Sequence, residues 1–189
     1  ESKKLSEENY KKIINKINYK KYLLIHFDEK WIDINSINDR LINSIESFQK
    51  NSNIKIILTA YNNKFHYYEK LKDHFDYIDF SNVSNLSNMI NYNQSKIIIL
   101  DNLEIFLFEQ FIKNSVANIS CHSGFMAQVA GASNSPVIDI IKQKDFIWYD
   151  CWKPRNTIHH FVSKSQHNNK IHLDEIFMKI SKIVHSINS

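Results

Sequence analysis

Short apolar runs of strand length alternate with segments of helical periodicity along most of this 189-residue chain. The apolar runs are nearly continuous, as in strands that are covered on both faces. They occupy residues 22–27, 54–59, 77–80, 96–100, 116–120 and 136–141. Strands that alternate with helices in this way form parallel sheets. The sequence therefore predicts an α/β fold, a parallel sheet of five or six strands with helices on both faces.

Capping residues and apolar spacing predict where the helices begin. Ser6, Ser36 and Asn102 each precede apolar residues at helical spacing, so each is predicted to cap a helix. Two other predicted helices span residues 63–75 and 173–187, and a third begins near Gly124. Residues 81–94 are rich in Asn and Ser and receive no assignment. Because no linker or repeat divides the chain, we expect one Rossmann-like domain over residues 1–189.

Composition excludes several classes of protein. Hydrophobic residues make up 43% of the chain and charged residues 23%, which excludes an intrinsically disordered protein. The net charge of +4 comes from lysines scattered among acidic residues, without the dense basic stripe of a nucleic-acid-binding protein. No apolar run is long enough to span a membrane. We therefore expect a cytoplasmic protein, with at most peripheral attachment to the inner face of the membrane.

Cysteine and histidine spacing gives no support for a metal centre. Cys121 and Cys151 form no C-x-x-C pair, so we expect two reduced thiols. No acidic or Cys partner stands at ligand spacing from four of the nine histidines, those at His159, His160, His167 and His172. We predict loop histidines and no bound metal.

Only two glycines occur, Gly124 and Gly131, and both lie in one segment. Asparagine is abundant, and because it tolerates left-handed backbone conformations we expect it in turns that usually need glycine. The glycine segment has the pattern of a strand end, a turn and a helix start. Ser123 and Gly124 would let a phosphate approach the unpaired N–H groups of the helix. Small residues, namely Ala127, Ala130 and Gly131, would let that helix pack tightly on the sheet. A tight turn without a ligand explains the local pattern as well.

Polar residues also follow the first predicted strand, in the segment His26-Phe27-Asp28-Glu29-Lys30-Trp31. Lys30 could meet a phosphate as a point charge. Thr59 and Asn102 follow other strands and are expected at the same sheet edge, because parallel strands end together. A solvated loop with a packing Trp31 is the alternative, and the local sequence favours it.

Two further features receive structural interpretations. Trp148, Tyr149 and Trp152 form an aromatic cluster that we interpret as packing at the domain edge. Asp139 is a polar residue within an apolar strand, which Ser, Thr or backbone hydrogen-bond partners would explain.

In order and spacing, these motifs resemble the C-terminal half of heptosyltransferase-like glycosyltransferases of the two-domain GT-B type (glycosyltransferase family 9). In that family a strand ends in His and is followed by Lys-Trp or Arg-Trp, as in His26 and Lys30-Trp31. A helix start similar to Thr/Ser-Leu-x-Glu is matched by Asp101-Asn102-Leu103-Glu104. The family motif Asp-Ser-Gly-x-Met-His-x-Ala-x-Ala is matched by His122-Ser123-Gly124-Phe125-Met126-Ala127-Gln128-Val129-Ala130. Pro136-Val137 and the last helix also have counterparts.

The resemblance extends from about Tyr22 to Ile187, with departures in the motif. His122 replaces the usual Asp, and Ala127 replaces the usual His. Both changes affect donor contacts, so the particular sugar nucleotide is left open.

The resemblance implies a domain that holds the diphosphate and nucleoside of a nucleotide-sugar donor. The glycan or glycolipid acceptor, on lipopolysaccharide or another cell-surface glycan, and the catalytic base would belong to a missing N-terminal domain. The implied reaction inverts the anomeric centre and uses neither metal nor cofactor. Because the sequence begins at Glu1, we expect a piece of a longer protein that is inactive alone. With the strand-end residues, the predicted substrate-binding set is His26, Lys30, Thr59, Asn102, Leu103, His122, Ser123, Gly124, Phe125 and Gln128.

Two alternatives stay open. A sugar-nucleotide epimerase has the same two-domain architecture, so half of such an enzyme is the second candidate, after the glycosyltransferase. A non-enzymatic ligand-binding or protein-interaction module of flavodoxin-like shape would also fit the fold class.

Overall fold

The computed structural model describes residues 2–34, 37–81, 97–163, 166–167, 170–171 and 173–188. Two predicted features, the helix cap at Ser36 and the segment 81–94 apart from Ser81, lie outside these residues, as does His172. Within the described ranges, no helix has both the length and the apolar character needed to cross a membrane.

A parallel sheet forms the centre of the domain. Its strands are β1 (Tyr22–Phe27), β2 (Lys55–Ala60), β3 (Asp76–Asp79), β4 (Ile97–Asp101), β5 (Ala117–Ser120), β6 (Val137–Ile141) and β7 (His159–Ser163). All neighbours are parallel, in the order β3–β4–β2–β1–β5–β6–β7. Two short strands, β8 (Gln166–His167) and β9 (Lys170–Ile171), pair antiparallel beside it. The predicted parallel sheet is confirmed, and it has seven strands in the described residues rather than five or six.

The additional strand, β7, lies at the sheet edge beside β6. Four of its five residues are only half-buried, and just Val162 is fully covered. An edge strand of this kind needs no continuous apolar run, which is why the apolar pattern did not predict it.

Helices cover both faces of the sheet, as predicted. They are α1 (Ser2–Ile17), α2 (Ile37–Ser52), α3 (His66–His74), α4 (Ile105–Lys113), α5 (Gly124–Ala132), α6 (Phe146–Trp152) and α7 (Leu173–Asn188). The apolar sides of α2, α3 and α7 share one core with the sheet. Those of α1, α4 and α5 share the core on the opposite face. Short 3-10 turns span Glu29–Asp33 and Gln143–Asp145.

Two predicted helix caps are wrong. Ser6 lies inside α1, where its hydroxyl donates to the carbonyl of Ser2 at 3.0 Å, because the helix begins earlier than its apolar residues indicate. Asn102 does not cap α4, since the helix begins at Ile105 and the Glu104 carboxylate accepts the N–H groups of Phe106 and Leu107. Asn102 instead forms the turn between β4 and α4.

Asparagine does occupy turns that usually need glycine. Six described residues other than glycine have positive φ, and they are Asn18, Asn53, Asn62, Asn102, His122 and Asn134. Neither glycine has positive φ. The prediction from composition is confirmed, because five of these six left-handed residues are asparagines.

Candidate functional site

The sheet reverses its direction of growth between β1 and β5. From β1 the chain builds towards β2 and β4 on one side, and it then returns to β5 on the other side of β1. In open parallel sheets, ligands bind beyond the carboxyl ends of the strands at such a switch point. A cavity of about 420 Å³ lies there, the switch-point cavity, lined by residues 26–30, 61–63, 65 and 122–125.

A second, more apolar cavity of about 800 Å³ adjoins the first on the side of β2 and β4. Its apolar walls are Ala60, Phe80, Leu103, Ile105, Phe108 and Phe125. The two cavities share His26, Tyr61, Asn62 and Phe125. Both volumes are typical of small-molecule sites, and together they could hold a ligand with one anionic and one apolar part.

His26 forms a polar but uncharged wall between the two cavities. It is paired in register with Thr59 on β2, and its Nδ1 lies 3.1 Å from the Thr59 hydroxyl oxygen. Burial lowers the pKa of His26 to about 4, so the imidazole is neutral at pH 7. Its role at the site is therefore hydrogen bonding and shape, and it adds no positive charge.

The loop after β1 brings Lys30 and the acidic residues Asp28 and Glu29 to the switch-point cavity. The Lys30 side chain is half-exposed, with its Nζ 4.0 Å from a Glu29 carboxylate oxygen. Trp31 packs beneath this loop, because it is fully buried and its indole N–H donates to the His26 carbonyl at 2.9 Å. The packing interpretation of Trp31 is confirmed.

Helix α5 begins at the cavity. The Ser123 hydroxyl accepts the N–H of Met126 at 3.4 Å and caps the helix. The preceding N–H groups, those of Gly124 and Phe125, have no acceptor within a helix that starts there. Both residues line the switch-point cavity, so the positive end of a nine-residue helix lies at this site.

Packing against the segment that follows β6 requires a glycine at position 131 but not at position 124. A Cβ on Gly124 would lie 3.4 Å from the Trp152 ring, an ordinary contact. A Cβ on Gly131 would lie 2.6 Å from Cγ of Pro154, which is an overlap. Ala127 and Ala130 pack into the core beneath the helix, as predicted. The prediction that Gly131 packs on the sheet is wrong, because its close neighbour is Pro154.

A buried carboxylate holds the turn between β5 and α5. Asp139, on β6, accepts the hydroxyl of Ser120 at 2.8 Å and the backbone N–H of His122 at 2.9 Å. These are the Ser and backbone partners that we predicted for it. Burial raises the pKa of Asp139 to about 6. Its bond to His122 supports the left-handed backbone that directs the chain into α5.

Nine of the ten predicted substrate-binding residues line the two cavities. The switch-point cavity contains His26, Lys30, His122, Ser123, Gly124 and Phe125. The apolar cavity contains His26, Thr59, Asn102, Leu103 and Phe125. Gln128 lines neither, since it lies on the exposed side of α5 and donates to the Trp152 carbonyl at 3.2 Å.

Sequence reasoning missed the loop after β2. Tyr61, Asn62 and Asn63 line the switch-point cavity, and the Asn63 amide donates to the Phe27 carbonyl at 3.4 Å. Their position directly after a predicted strand was the available signal. Glu104 and Ser81 in the apolar cavity were also missed. The described part of the chain contains no cluster of three or more His, Cys, Asp or Glu side chains that could hold a metal ion.

No protein-family model and no curated protein matches the sequence. Solved structures with a similar fold include two complexes with UDP. The S. aureus MnaA–UDP structure is 12% identical with a TM-score of 0.56, over 93% of this chain and 40% of that chain. The Methanocaldococcus jannaschii UDP-GlcNAc 2-epimerase in complex with UDP-GlcNAc and UDP is 16% identical with a TM-score of 0.52, over 97% and 50%.

The likeness establishes the fold as a Rossmann-like α/β domain, of the type that forms one half of GT-B-like structures. This chain spans half or less of the length of each of the two similar structures.

Proposed function

We propose that this domain binds the diphosphate of a nucleotide-sugar donor in the switch-point cavity. One observation carries the proposal: the start of α5 and Lys30 meet in a cavity at the switch point of the sheet. Unpaired helix N–H groups and a nearby ammonium group stabilise phosphate oxygens without a metal. The apolar cavity then takes an uncharged part of the same ligand. The UDP in the two similar structures supports a nucleotide ligand.

We further propose that the domain belongs to an inverting, metal-independent glycosyltransferase. Leaving-group stabilisation is the chemistry that this half can supply, because a diphosphate gains negative charge as the sugar leaves. The acceptor site and the catalytic base belong to a second domain, so this polypeptide alone does not transfer sugar. Robust transfer by the isolated chain would contradict this division of roles.

A second candidate is the donor half of a UDP-sugar epimerase. The name of one similar structure, a UDP-GlcNAc 2-epimerase, favours it. The two candidates differ in the product formed by a protein that includes the second domain. With UDP-GlcNAc and no acceptor, an epimerase gives the C2 epimer, which NMR detects, whereas a glycosyltransferase leaves the donor intact.

Calorimetric titration with UDP tests the binding proposal. We expect binding in the presence of EDTA, and a dissociation constant about tenfold higher for Lys30→Ala, because a charge-assisted contact is lost. Lys50→Ala is the matched control, since Lys50 is an exposed lysine in the last turn of α2, away from both cavities. Strict magnesium dependence, or equal losses for both variants, would contradict the proposal.

A further inference from the structure

The carboxylate of Asp28 lies at the end of the switch-point cavity where we propose that the diphosphate binds. Asp28 lines this cavity, and its Oδ1 accepts the backbone N–H of Lys30 at 3.0 Å. The hydroxyl of Ser123, the cap of α5, also hydrogen-bonds to the Asp28 side chain. Asp28 therefore lies between the two features that would attract a diphosphate, the loop of Lys30 and the start of α5.

Asp28 cannot easily turn away from this position. The Tyr67 hydroxyl donates to the Asp28 carbonyl at 2.7 Å, and the N–H of Trp31 lies 3.4 Å from the same oxygen. Hydrogen bonds therefore hold both parts of Asp28. Those from Lys30 and Ser123 hold its side chain, and those from Tyr67 and Trp31 hold its backbone carbonyl. An arriving diphosphate would meet it at short range, where two anions repel strongly.

Among the described residues that line the switch-point cavity, Lys30 is the only lysine or arginine. On its own loop are Glu29 and Lys30, which are both exposed. From α3 comes the neutral phenol of Tyr67, and from the β5–α5 turn come His122 and Ser123. Asp139 on β6 lies near enough to interact electrostatically with Asp28, and it adds negative charge. The neighbourhood therefore favours a neutral Asp28 once an anion is bound.

Given the proposed function, we propose that Asp28 is a ligand-binding residue that carries a proton in the complex. As a neutral carboxyl it donates a hydrogen bond to a diphosphate oxygen, and the proton comes from solvent. Burial already raises the pKa of Asp28 to about 6 in the free domain, so this protonation is accessible near neutral pH. Donor affinity then increases as the pH falls.

The test is calorimetric titration with UDP at pH 7 to 8.5, in buffers of different ionisation enthalpy, which reports the protons taken up. Within this range the terminal phosphate of UDP is largely ionised. We expect uptake of about one proton per UDP, and a dissociation constant that rises about tenfold per pH unit. Asp28→Asn keeps the shape and the acceptor for the Lys30 N–H, so it should bind UDP without either dependence. It should also bind more tightly than the parent at the highest pH.

Glu29→Gln is the matched control, because it removes an adjacent carboxylate that is 65% exposed and should leave the pH dependence of the parent intact. Proton uptake by the parent is measured without any variant, so a poorly folded Asp28→Asn would not prevent the test. UDP binding that is independent of pH, or that needs a divalent cation to bridge Asp28 and the diphosphate, overturns this inference alone. Failure of the parent and Asp28→Asn to bind UDP at any pH overturns the proposed function as well.

Discussion

His26 shows how a single buried ring can link the site to folding stability. The imidazole packs against Phe108, with ring centroids 5.2 Å apart, and Thr59 is its hydrogen-bond partner. Neither neighbour can compensate a positive charge, so burial favours the neutral form. The site thereby keeps an uncharged donor or acceptor at the boundary between its polar and apolar parts.

We expect His26 to make stability fall in acid. Its pKa is 6.5 in the unfolded chain and about 4 in the folded one. Below pH 6.5 the unfolded state binds a proton that the folded state does not, so the stabilisation is complete above this pH and is lost towards pH 4. Replacing His26 by Gln should remove this dependence. The difference in unfolding free energy between parent and variant, from urea titrations, should shrink by about 2–3 kcal/mol between pH 7.5 and 4.5.

His74→Gln provides the comparison for this measurement. The His74 ring is 45% exposed and lies 2.9 Å from the Glu46 carboxylate, so its surroundings differ from those of the buried His26 ring. It should not reproduce the change seen with His26→Gln. A constant difference between parent and His26→Gln across the pH range would show that folding does not shift the pKa of His26.

At the scale of elements, the contact of α5 with the segment after α6 depends on the absence of a side chain at Gly131. We expect Gly131→Ala to lower the unfolding free energy by about 1–3 kcal/mol, because the new Cβ overlaps Pro154 in a packed region. Gly124→Ala should have little effect, because its Cβ reaches only ordinary contact with Trp152. Thermal and urea unfolding of both variants measure the difference. Equal unfolding free energies of the two variants would show that the segment around Pro154 moves aside to accommodate the new Cβ.

The strands that could be predicted from the sequence are those that helices cover on both faces of the sheet. Strands β1, β2 and β4 read as apolar runs because helices cover them on each side. Strand β7 lies half-exposed at an edge, and α6 presents Ile147 and Trp148 to solvent, with Trp148 66% exposed. Neither shows a clear apolar period. The cap of α4 was misplaced because the chain makes a left-handed turn at Asn102 before the helix starts.

At the scale of the whole molecule, local unfolding should cost the most free energy in the central strands of the sheet. Strand β1 has β2 and β5 as neighbours and all six of its residues are buried, whereas β7 has one neighbour among the described strands. Backbone amides of β1 should therefore exchange with deuterium last, close to the rate of global unfolding. Mass spectrometry of peptides covering β1 and β7 measures this, with the unfolded protein as the reference for intrinsic rates. Exchange of β7 as slow as that of β1 would contradict the expectation.

The location of the candidate site could be predicted because parallel strands end at one edge. His26, Thr59 and Ser123 come from different parts of the chain, yet they line adjoining cavities. What could not be predicted is which side of an element each residue occupies. Gln128 stands within the segment that resembles a family motif but lies on the solvent side of α5. Asn62 was missed although it follows a predicted strand, because its contribution depends on the turn that follows β2.

The left-handed asparagines also change the thermodynamics of folding. In a chain with glycine at such turns, the unfolded state samples many backbone conformations, and folding loses that entropy. Asparagine samples fewer, so less entropy is lost, but its Cβ stores strain in the folded turn. Five turns have this property, at Asn18, Asn53, Asn62, Asn102 and Asn134. At each of them folding loses less backbone entropy than it would with glycine, and the folded turn carries more backbone strain.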